Sequence, residues 1–418
     1  MKAFITPSKL CGEVDIPSSK SASHRALICA ALAKGTSRIH GITLSDDIEA
    51  TVKAMAQLGA KIETDGDDYL VTGITEATTL PQIDCGESGS TLRFLIPVAA
   101  ALGADATFFG HGRLVERPLS AMTDLLNAHG VKCTYTSSVN LPLEVRGNMP
   151  SGEYRIGGNV SSQYISGLLF ALCRLGKSSK IILTTSLESA AYVDMTIAAL
   201  QKFGAKIIRA DNGYKIEPST LTACEMTVEG DWSQAAFYLA AATLGGDIRI
   251  RGLDRRSVQG DRAAEEIFRE IGADIRWEGD MLHAKSGSLS PITVDAAQIP
   301  DIIPPIAVVL GFCEGQSSIV NAYRLRIKES DRLSAIARGL VMNGVSVIET
   351  RDSLIIDGKP FSGGVIDGFA DHRIVMAFSI GAAYANGNSV ITDAEAISKS
   401  YPRFFDHFSA IGGNVNVI

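Results

Sequence analysis

Six short segments of this chain follow one plan: "QLGAKIE", "AHGVKCT", "KFGAKII", "EIGADIR", "MNGVSVI" and "AIGGNVN". Their aligned glycines are Gly59, Gly130, Gly204, Gly272, Gly344 and Gly412, spaced by 71, 74, 68, 72 and 68 residues. Self-similarity at a fixed period constrains a fold more than any local signal, because it defines the unit that is folded and repeated. Each segment ends an amphipathic run. In "SDDIEATVKAMAQLGA", Ile48, Val52, Met55 and Leu58 fall on one helical face. The glycine predicts a left-handed helix end, and the alternating residues after it predict a short strand.

A second series runs out of phase with the first: "AKGTSRIHGI", "LGADATFFGHG", "LGKSSKIILTTS", "LGGDIRIRGL", "CEGQSSIVNAY" and "ANGNSVITDA". Each follows an Ala-rich apolar run and leads into a strand. One repeat therefore alternates two helices with several strands, and six of them predict an α/β protein of two halves with three repeats each. The break falls near "VEGDWSQ" (228–234), where the fourth repeat begins. No Pro/Gly/Ser-rich linker occurs there, which predicts a tight hinge.

Composition narrows the partners. The formal net charge is −7, which disfavours a general nucleic-acid or anionic-membrane binder. No run of eighteen apolar residues occurs, and the opening "MKAFITPSKL" has no apolar leader core, so a cytoplasmic protein with no membrane partner is expected. The seven cysteines are scattered and form no CxxC pair, which reads as buried thiols in a reducing compartment. The seven histidines lack an HExxH-like spacing, so no metal is expected. Neither a GxxxxGK[ST] phosphate loop nor a GxSxG elbow is present.

The charged residues that do stand out recur at one place in the repeat. The stretches before the first helices read "SKSASHR", "CGESGSTLR", "NVSSQ", "EGDWSQ", "IPDIIP" and "ADHRIV", and the second helices follow "SDD", "ERP", "AYVD", "VQGD", "KESDR" and "KSYPR". Caps account for the Ser, Asp and Asn residues; Ser23 reads as one. Caps do not account for Lys20, Arg25, Arg93, Arg117, Lys328, Arg332, Arg373 and Lys399. Cations at a helix N-terminus oppose its dipole, whereas free N–H groups there attract phosphate and carboxylate. Converging entrances with added Arg and Lys would hold a polyanion, or two anions together. Asp301, in the apolar "IPDIIPP", would be costly to bury unless paired or functional, and Glu329, in "KESDR", reads either as an ion-pair partner of Lys328 and Arg332 or, with Asp301, as a proton-transfer group.

The segments "PSSKSASHRAL", "CGESGSTLR", "RLVERP", "VSSQYISGLL", "RIKESDRL", "ADHRIVMA" and "ISKSYPRFF" resemble, in order, the signature segments of the 3-phosphoshikimate 1-carboxyvinyltransferase (EPSP synthase) family. The resemblance spans about residues 9 to 405. It implies the enolpyruvyl transferase fold, an inside-out α/β barrel of two similar lobes, each of three βαβαββ repeats. Residues 1–18 with 231–418 would form one lobe and 19–230 the other, with the active site in the interlobe cleft, assembled by lobe closure. It also implies the activity: phosphoenolpyruvate is joined to the 5-hydroxyl of shikimate 3-phosphate through a tetrahedral intermediate, releasing phosphate, in chorismate and aromatic amino-acid biosynthesis. No cofactor is implied, and a monomer is the family expectation.

Carried over by motif, phosphoenolpyruvate would be bound by Lys20, Gly89, Arg117, Gln163, Arg332, Arg373 and Lys399. Shikimate 3-phosphate would be bound by Lys20, Ser21, Arg25, Ser161, Ser162, Gln163, Ser189, Tyr192, Asp301 and Lys328. Asp301, aided by Lys20, would take the hydroxyl proton, and Glu329 would move the proton at C3. The chain departs from the family pattern at Ser18, where Gly is common, and at His24 and Glu87, where Asn is common. Arg324 replaces an Asn that contacts substrate in some relatives. His24 reads as a packed or capping side chain and Glu87 as pointing away from phosphoenolpyruvate. Glyphosate sensitivity does not follow from these changes. UDP-N-acetylglucosamine enolpyruvyl transferase has the same architecture and donor, but typically carries a cysteine in the loop here reading "GHGRLVERP". No cysteine lies between Cys85 and Cys133.

Overall fold

A computed structural model describes all of residues 1–418. The strands form six separate four-stranded sheets. One repeat shows the plan of all six. Strand Gln82–Asp84, helix Gly89–Leu102, strand Thr107–Phe109, helix Ser120–Ala128 and strands Lys132–Tyr135 and Leu143–Arg146 follow in order. The first two strands pair parallel, the last inserts antiparallel beside the second, and the third takes the edge. This is a βαβαββ unit, and its parallel pair is the reason a helix must cross between the first two strands.

The chain divides into two compact units, residues 1–17 with 229–418 and residues 18–228. Each contains three repeats and its own apolar core. Two strands are exchanged along the sequence to complete them. Cys11–Asp15 pairs parallel with Asp247–Arg251 and so begins the repeat of helix Trp232–Leu244. Glu225–Thr227 pairs parallel with Thr36–His40 and does the same for the repeat of helix Lys20–Leu32. Lys2–Thr6 fills the last place of the sixth sheet, antiparallel to both Ser389–Thr392 and Asn414–Val417.

The two helices of a repeat differ in how much of their circumference is apolar. Trp232–Leu244, "WSQAAFYLAAATL", is buried at nearly every position, as an all-round apolar helix must be. Ala264–Ile271 buries Ala264, Phe268 and Ile271 along one stripe and exposes Glu266 and Glu270, so it covers a face. The six aligned glycines have φ between 84° and 128°. After each, an N–H donates to the carbonyl five residues back: Ala60 to Met55, Val131 to Leu126, Ala205 to Leu200, Ala273 to Phe268, Val345 to Leu340 and Gly413 to Phe408, at 2.9–3.1 Å. The repeated sequence signal is thus a Schellman turn, which needs the left-handed residue that glycine supplies without strain.

Two expectations about helix entrances change. The cap of Lys20–Leu32 is Ser19, whose hydroxyl accepts from the Ala22 N–H at 3.3 Å. Ser23 lies inside the helix and donates back to the Ser19 carbonyl at 2.9 Å, a bond that short hydroxyl side chains make within helices. Arg117, Lys328 and Lys399 do not sit at helix N-termini. They end the 3-10 turns Gly112–Glu116, Tyr323–Ile327 and Ala394–Lys399. Lys20 and Arg332 do open α-helices. No helix is long and apolar enough to cross a membrane.

Candidate active site

In the unit of residues 1–17 and 229–418, Asp301 lies just ahead of helix Ile303–Leu310. Its carboxylate accepts from Lys328 Nζ and Arg332 Nη1, each at 3.2 Å, and lies 3.4 Å from Arg373 Nη2. Arg373 also donates to the Asp301 carbonyl at 3.0 Å and to Ser233 Oγ at 3.1 Å. Arg332 Nη2 donates to Glu329 Oε2 at 2.7 Å. Three cations and two carboxylates therefore form one cluster, drawn from the entrances of three helices and one 3-10 turn.

Asp371 organises that cluster, and sequence reasoning quoted it only within "ADHRIV". It caps helix His372–Ala383 by accepting from the Arg373 N–H at 2.9 Å. Its two oxygens accept from Arg332 Nε at 2.9 Å and Nη2 at 3.2 Å, a bidentate fork, while Ser330 Oγ donates at 2.9 Å. Asp371 and Arg332 are both fully enclosed, at 0% exposure. A buried arginine with no carboxylate would be costly, and Asp371, with Glu329 and Asp301, offsets that cost. An aspartate before a helix looks like a cap in any sequence, which hid this second role.

The protonation states follow from this packing. Burial pushes the Asp301 carboxyl up, but Arg373, Lys328 and Arg332 outweigh it and the nearby Glu329, holding it well below the usual carboxylate range. Burial brings the Lys328 ammonium down to about 8, with Arg332 and Arg324 adding to the fall and Asp301 and Glu329 opposing it. Burial also lowers Arg332, yet Asp371, Glu329 and Asp301 raise it above an ordinary arginine, so it stays charged. Asp301 is thus an ionised carboxylate in a strongly cationic setting. Lys399 is buried in the same unit, at the end of its 3-10 turn.

In the unit of residues 18–228, Lys20 Nζ donates to Asp47 Oδ2 at 2.6 Å. Arg25 is buried, donating to Thr196 Oγ1 at 2.8 Å and to the Ser21 and Tyr192 carbonyls, both at 2.7 Å. Burial lowers it to about 10, partly offset by Tyr192 and Cys29. It ties the entrance of helix Lys20–Leu32 to helix Ala190–Lys202, and so places Ser21 near Tyr192. Ser189, ahead of that second helix, has a left-handed φ of 52°. Ser161 caps helix Ser162–Leu175, and both serines are buried.

Gln163, Arg93 and Arg117 surround the entrance of helix Gly89–Leu102. Arg93 Nη1 donates to Gln163 Oε1 at 2.7 Å, and Gln163 Nε2 to Ser90 Oγ at 3.0 Å, which fixes the amide. A Cβ on Gly89 would stand 2.7 Å from Arg117 Nη1, so the missing side chain is what lets that guanidinium lie over the helix start. Glu87 reaches toward Gly112, where a Cβ would meet its carboxylate at 2.5 Å. His24 is packed. Its Nδ1 bonds Thr51 Oγ1 at 2.7 Å, and the chain continues through Thr91 at 2.6 Å to Ser88 at 2.8 Å. Burial lowers His24 to about 3, against Asp47 and with Lys20 and Arg25, so its ring is neutral.

Both units carry buried cationic side chains, and one adds a pair of carboxylates. No group of three or more His, Cys, Asp or Glu side chains suited to a metal occurs. The architecture is that of the enolpyruvyl transferases. The chain superimposes along its whole length on an EPSP synthase structure from Acinetobacter baumannii, with a TM-score of 0.83, 25% identity and both chains covered in full. The enolpyruvyl transferase NikO from Streptomyces tendae shares the fold, at TM-score 0.78 and 16% identity over 99% of this chain and 98% of that one.

Sequence comparison is more specific. The family model EPSP synthase (3-phosphoshikimate 1-carboxyvinyltransferase) matches residues 5–408. Proteins named 3-phosphoshikimate 1-carboxyvinyltransferase from Clostridium kluyveri and Clostridioides difficile are each 43% identical over 99% of this chain, covering 97% and 98% of their own lengths. The chain belongs to the EPSP synthase family.

Proposed function

We propose that this chain transfers the enolpyruvyl group of phosphoenolpyruvate to the 5-hydroxyl of shikimate 3-phosphate and releases phosphate, supplying the route to chorismate and aromatic amino acids. The observation that carries the residue assignment is Asp301, an ionised carboxylate within 3.4 Å of Lys328, Arg332 and Arg373. Two anionic substrates repel each other, and a dense set of cations offsets that repulsion. Phosphoenolpyruvate is assigned to Lys20, Gly89, Arg117, Gln163, Arg332, Arg373 and Lys399. Shikimate 3-phosphate is assigned to Lys20, Ser21, Arg25, Ser161, Ser162, Gln163, Ser189, Tyr192, Asp301 and Lys328.

In the first step the 5-hydroxyl oxygen adds to C2 of phosphoenolpyruvate while C3 gains a proton and becomes a methyl group. Asp301 accepts the hydroxyl proton and Glu329 delivers the proton to C3. In the second step a C3 proton returns to Glu329, the C2–O bond to phosphate breaks as the leaving phosphate takes the proton held by Asp301, and the vinyl ether forms. Asp301 is weakly basic while three cations face it. As Lys328, Arg332 and Arg373 turn to substrate phosphate and carboxylate, their hold on Asp301 weakens and it becomes a better base.

The loop "GHGRLVERP" holds no cysteine and Cys85, the nearest before it, is buried, which disfavours the sugar-nucleotide transferase. The absence of paired cysteines supports a cytoplasmic setting, and a monomer is the working unit we infer. The test is phosphate release from phosphoenolpyruvate with shikimate 3-phosphate in one reaction and UDP-N-acetylglucosamine in the other. Release with the first acceptor alone is expected; release with the second alone would overturn the proposal.

A further inference from the structure

Three non-glycine residues with left-handed backbone cluster outside the residues assigned above: Phe369 at φ 53°, Ala370 at 49° and Asp393 at 56°. A phenylalanine and an alanine adopt this region rarely, so two in succession require something to hold them. The holding groups are polar and local. Asp367 Oδ1 accepts from the Phe369 N–H at 2.8 Å, and Asp393 Oδ2 accepts from the Ala370 N–H at 3.1 Å. Thr392 Oγ1 accepts from the Gly368 N–H at 3.0 Å and lies 3.3 Å from Asp367 Oδ1 and 3.1 Å from Asp393 Oδ2. Its one proton is placed to bridge the two carboxylates.

What leaves this turn on each side is the candidate site. The next residue after Ala370 is Asp371, whose N–H donates to the Gly368 carbonyl at 2.9 Å and whose carboxylate forks onto Arg332. Arg373 follows two residues later. On the other strand, Asp393 is the residue from which the 3-10 turn Ala394–Lys399 departs, and its carbonyl accepts from the Ala396 N–H at 3.0 Å. One carboxylate therefore joins the segment that orients Arg332 and Arg373 to the segment that ends in Lys399.

We propose that Asp393, bridged by Thr392 to Asp367, is a positioning residue that holds the Phe369–Ala370 turn and thereby sets Arg332, Arg373 and Lys399 for phosphoenolpyruvate. It touches none of the reacting atoms. The inference rests on the substrate assignment above and adds selectivity to it. Arg332, Arg373 and Lys399 are all assigned to phosphoenolpyruvate, whereas Lys328, assigned to shikimate 3-phosphate, is reached through another segment; Asp301 touches Arg332 and Arg373 but keeps its own bond to Lys328. Loosening the latch should therefore weaken one substrate and spare the other.

The discriminating variant is Asp393→Gly, which adopts the same backbone freely and lacks only the carboxylate. Its KM for phosphoenolpyruvate should rise roughly three- to tenfold, the range of one lost hydrogen bond, with KM for shikimate 3-phosphate changed by less than about twofold. Asp393→Asn, which tolerates the left-handed region and keeps an acceptor oxygen, should return to near wild type. Thr392→Val supplies the same comparison should Asp393→Gly not fold. An unmoved KM for phosphoenolpyruvate, an equal rise in both constants, or no rescue by Asn would overturn the latch while wild-type turnover stands. A wild-type chain that releases no phosphate with shikimate 3-phosphate would overturn the substrate assignment itself, and the latch with it.

Discussion

At the scale of single residues, charge state separates groups that react from groups that hold. In the proposed mechanism Asp301→Asn removes the proton acceptor and lessens the charge opposing Lys328, Arg332 and Arg373. Turnover should fall by about 10²–10⁴-fold, the usual worth of a positioned base, with anion binding retained or tightened. Equilibrium binding of shikimate 3-phosphate beside kcat checks this, and equal loss of both would make Asp301 structural. Lys328 gives the pH dependence. Its ammonium is charged below about 8 and neutral above, so kcat/KM for shikimate 3-phosphate should fall as pH rises through that value. Lys328→Arg, which stays charged, should remove that limb if it binds.

Single residues were also the scale at which the sequence was least complete. Lys20, Arg332 and Asp301 stood out because charges of their type are unexpected where they lie. Asp47, in the first turn of helix Asp46–Gln57, and Asp371, ahead of helix His372–Ala383, did not, because an acidic residue at a helix start is explained by the cap and the dipole alone. Their second roles, on Lys20 and Arg332, arise from chain segments brought together by tertiary structure: 27 residues separate one pair and 39 the other. Nothing local encodes that. His24, read as packed or capping, is packed.

At the scale of elements, the repeat was legible because a Schellman turn needs glycine at one position, with an amphipathic run before it and a strand after it. The entrances were less so, since a 3-10 turn and a first helical turn share the same residue types. The six glycines are not equivalent. At Gly130 no atom lies within 4 Å of an added Cβ, so Gly130→Ala should cost only the strain of φ 84°, about 1 kcal/mol. At Gly272 the Cβ would stand 2.0 Å from the Ser288 carbonyl oxygen, so Gly272→Ala should cost clearly more, by at least about another 1 kcal/mol. Denaturant midpoints of the two variants measure the difference; equal losses would mean that close approach is not what glycine serves at 272.

At the scale of the whole molecule, the period of about seventy residues announced six units, and six sheets are present. Which strand completes which sheet was not readable, because Cys11–Asp15 and Glu225–Thr227 carry no mark of the repeat they join. The chemistry, finally, belongs to the assembled protein and reduces to one claim: C3 of phosphoenolpyruvate is protonated and then deprotonated while the 5-hydroxyl oxygen becomes bonded to C2. NMR of the intact chain turning over phosphoenolpyruvate and shikimate 3-phosphate in D₂O tests it directly. One phosphate should be released for each vinyl ether formed, and deuterium should enter the vinyl group, because the intermediate methyl carries a solvent proton. Phosphate without the ether, or an ether free of deuterium, would contradict it.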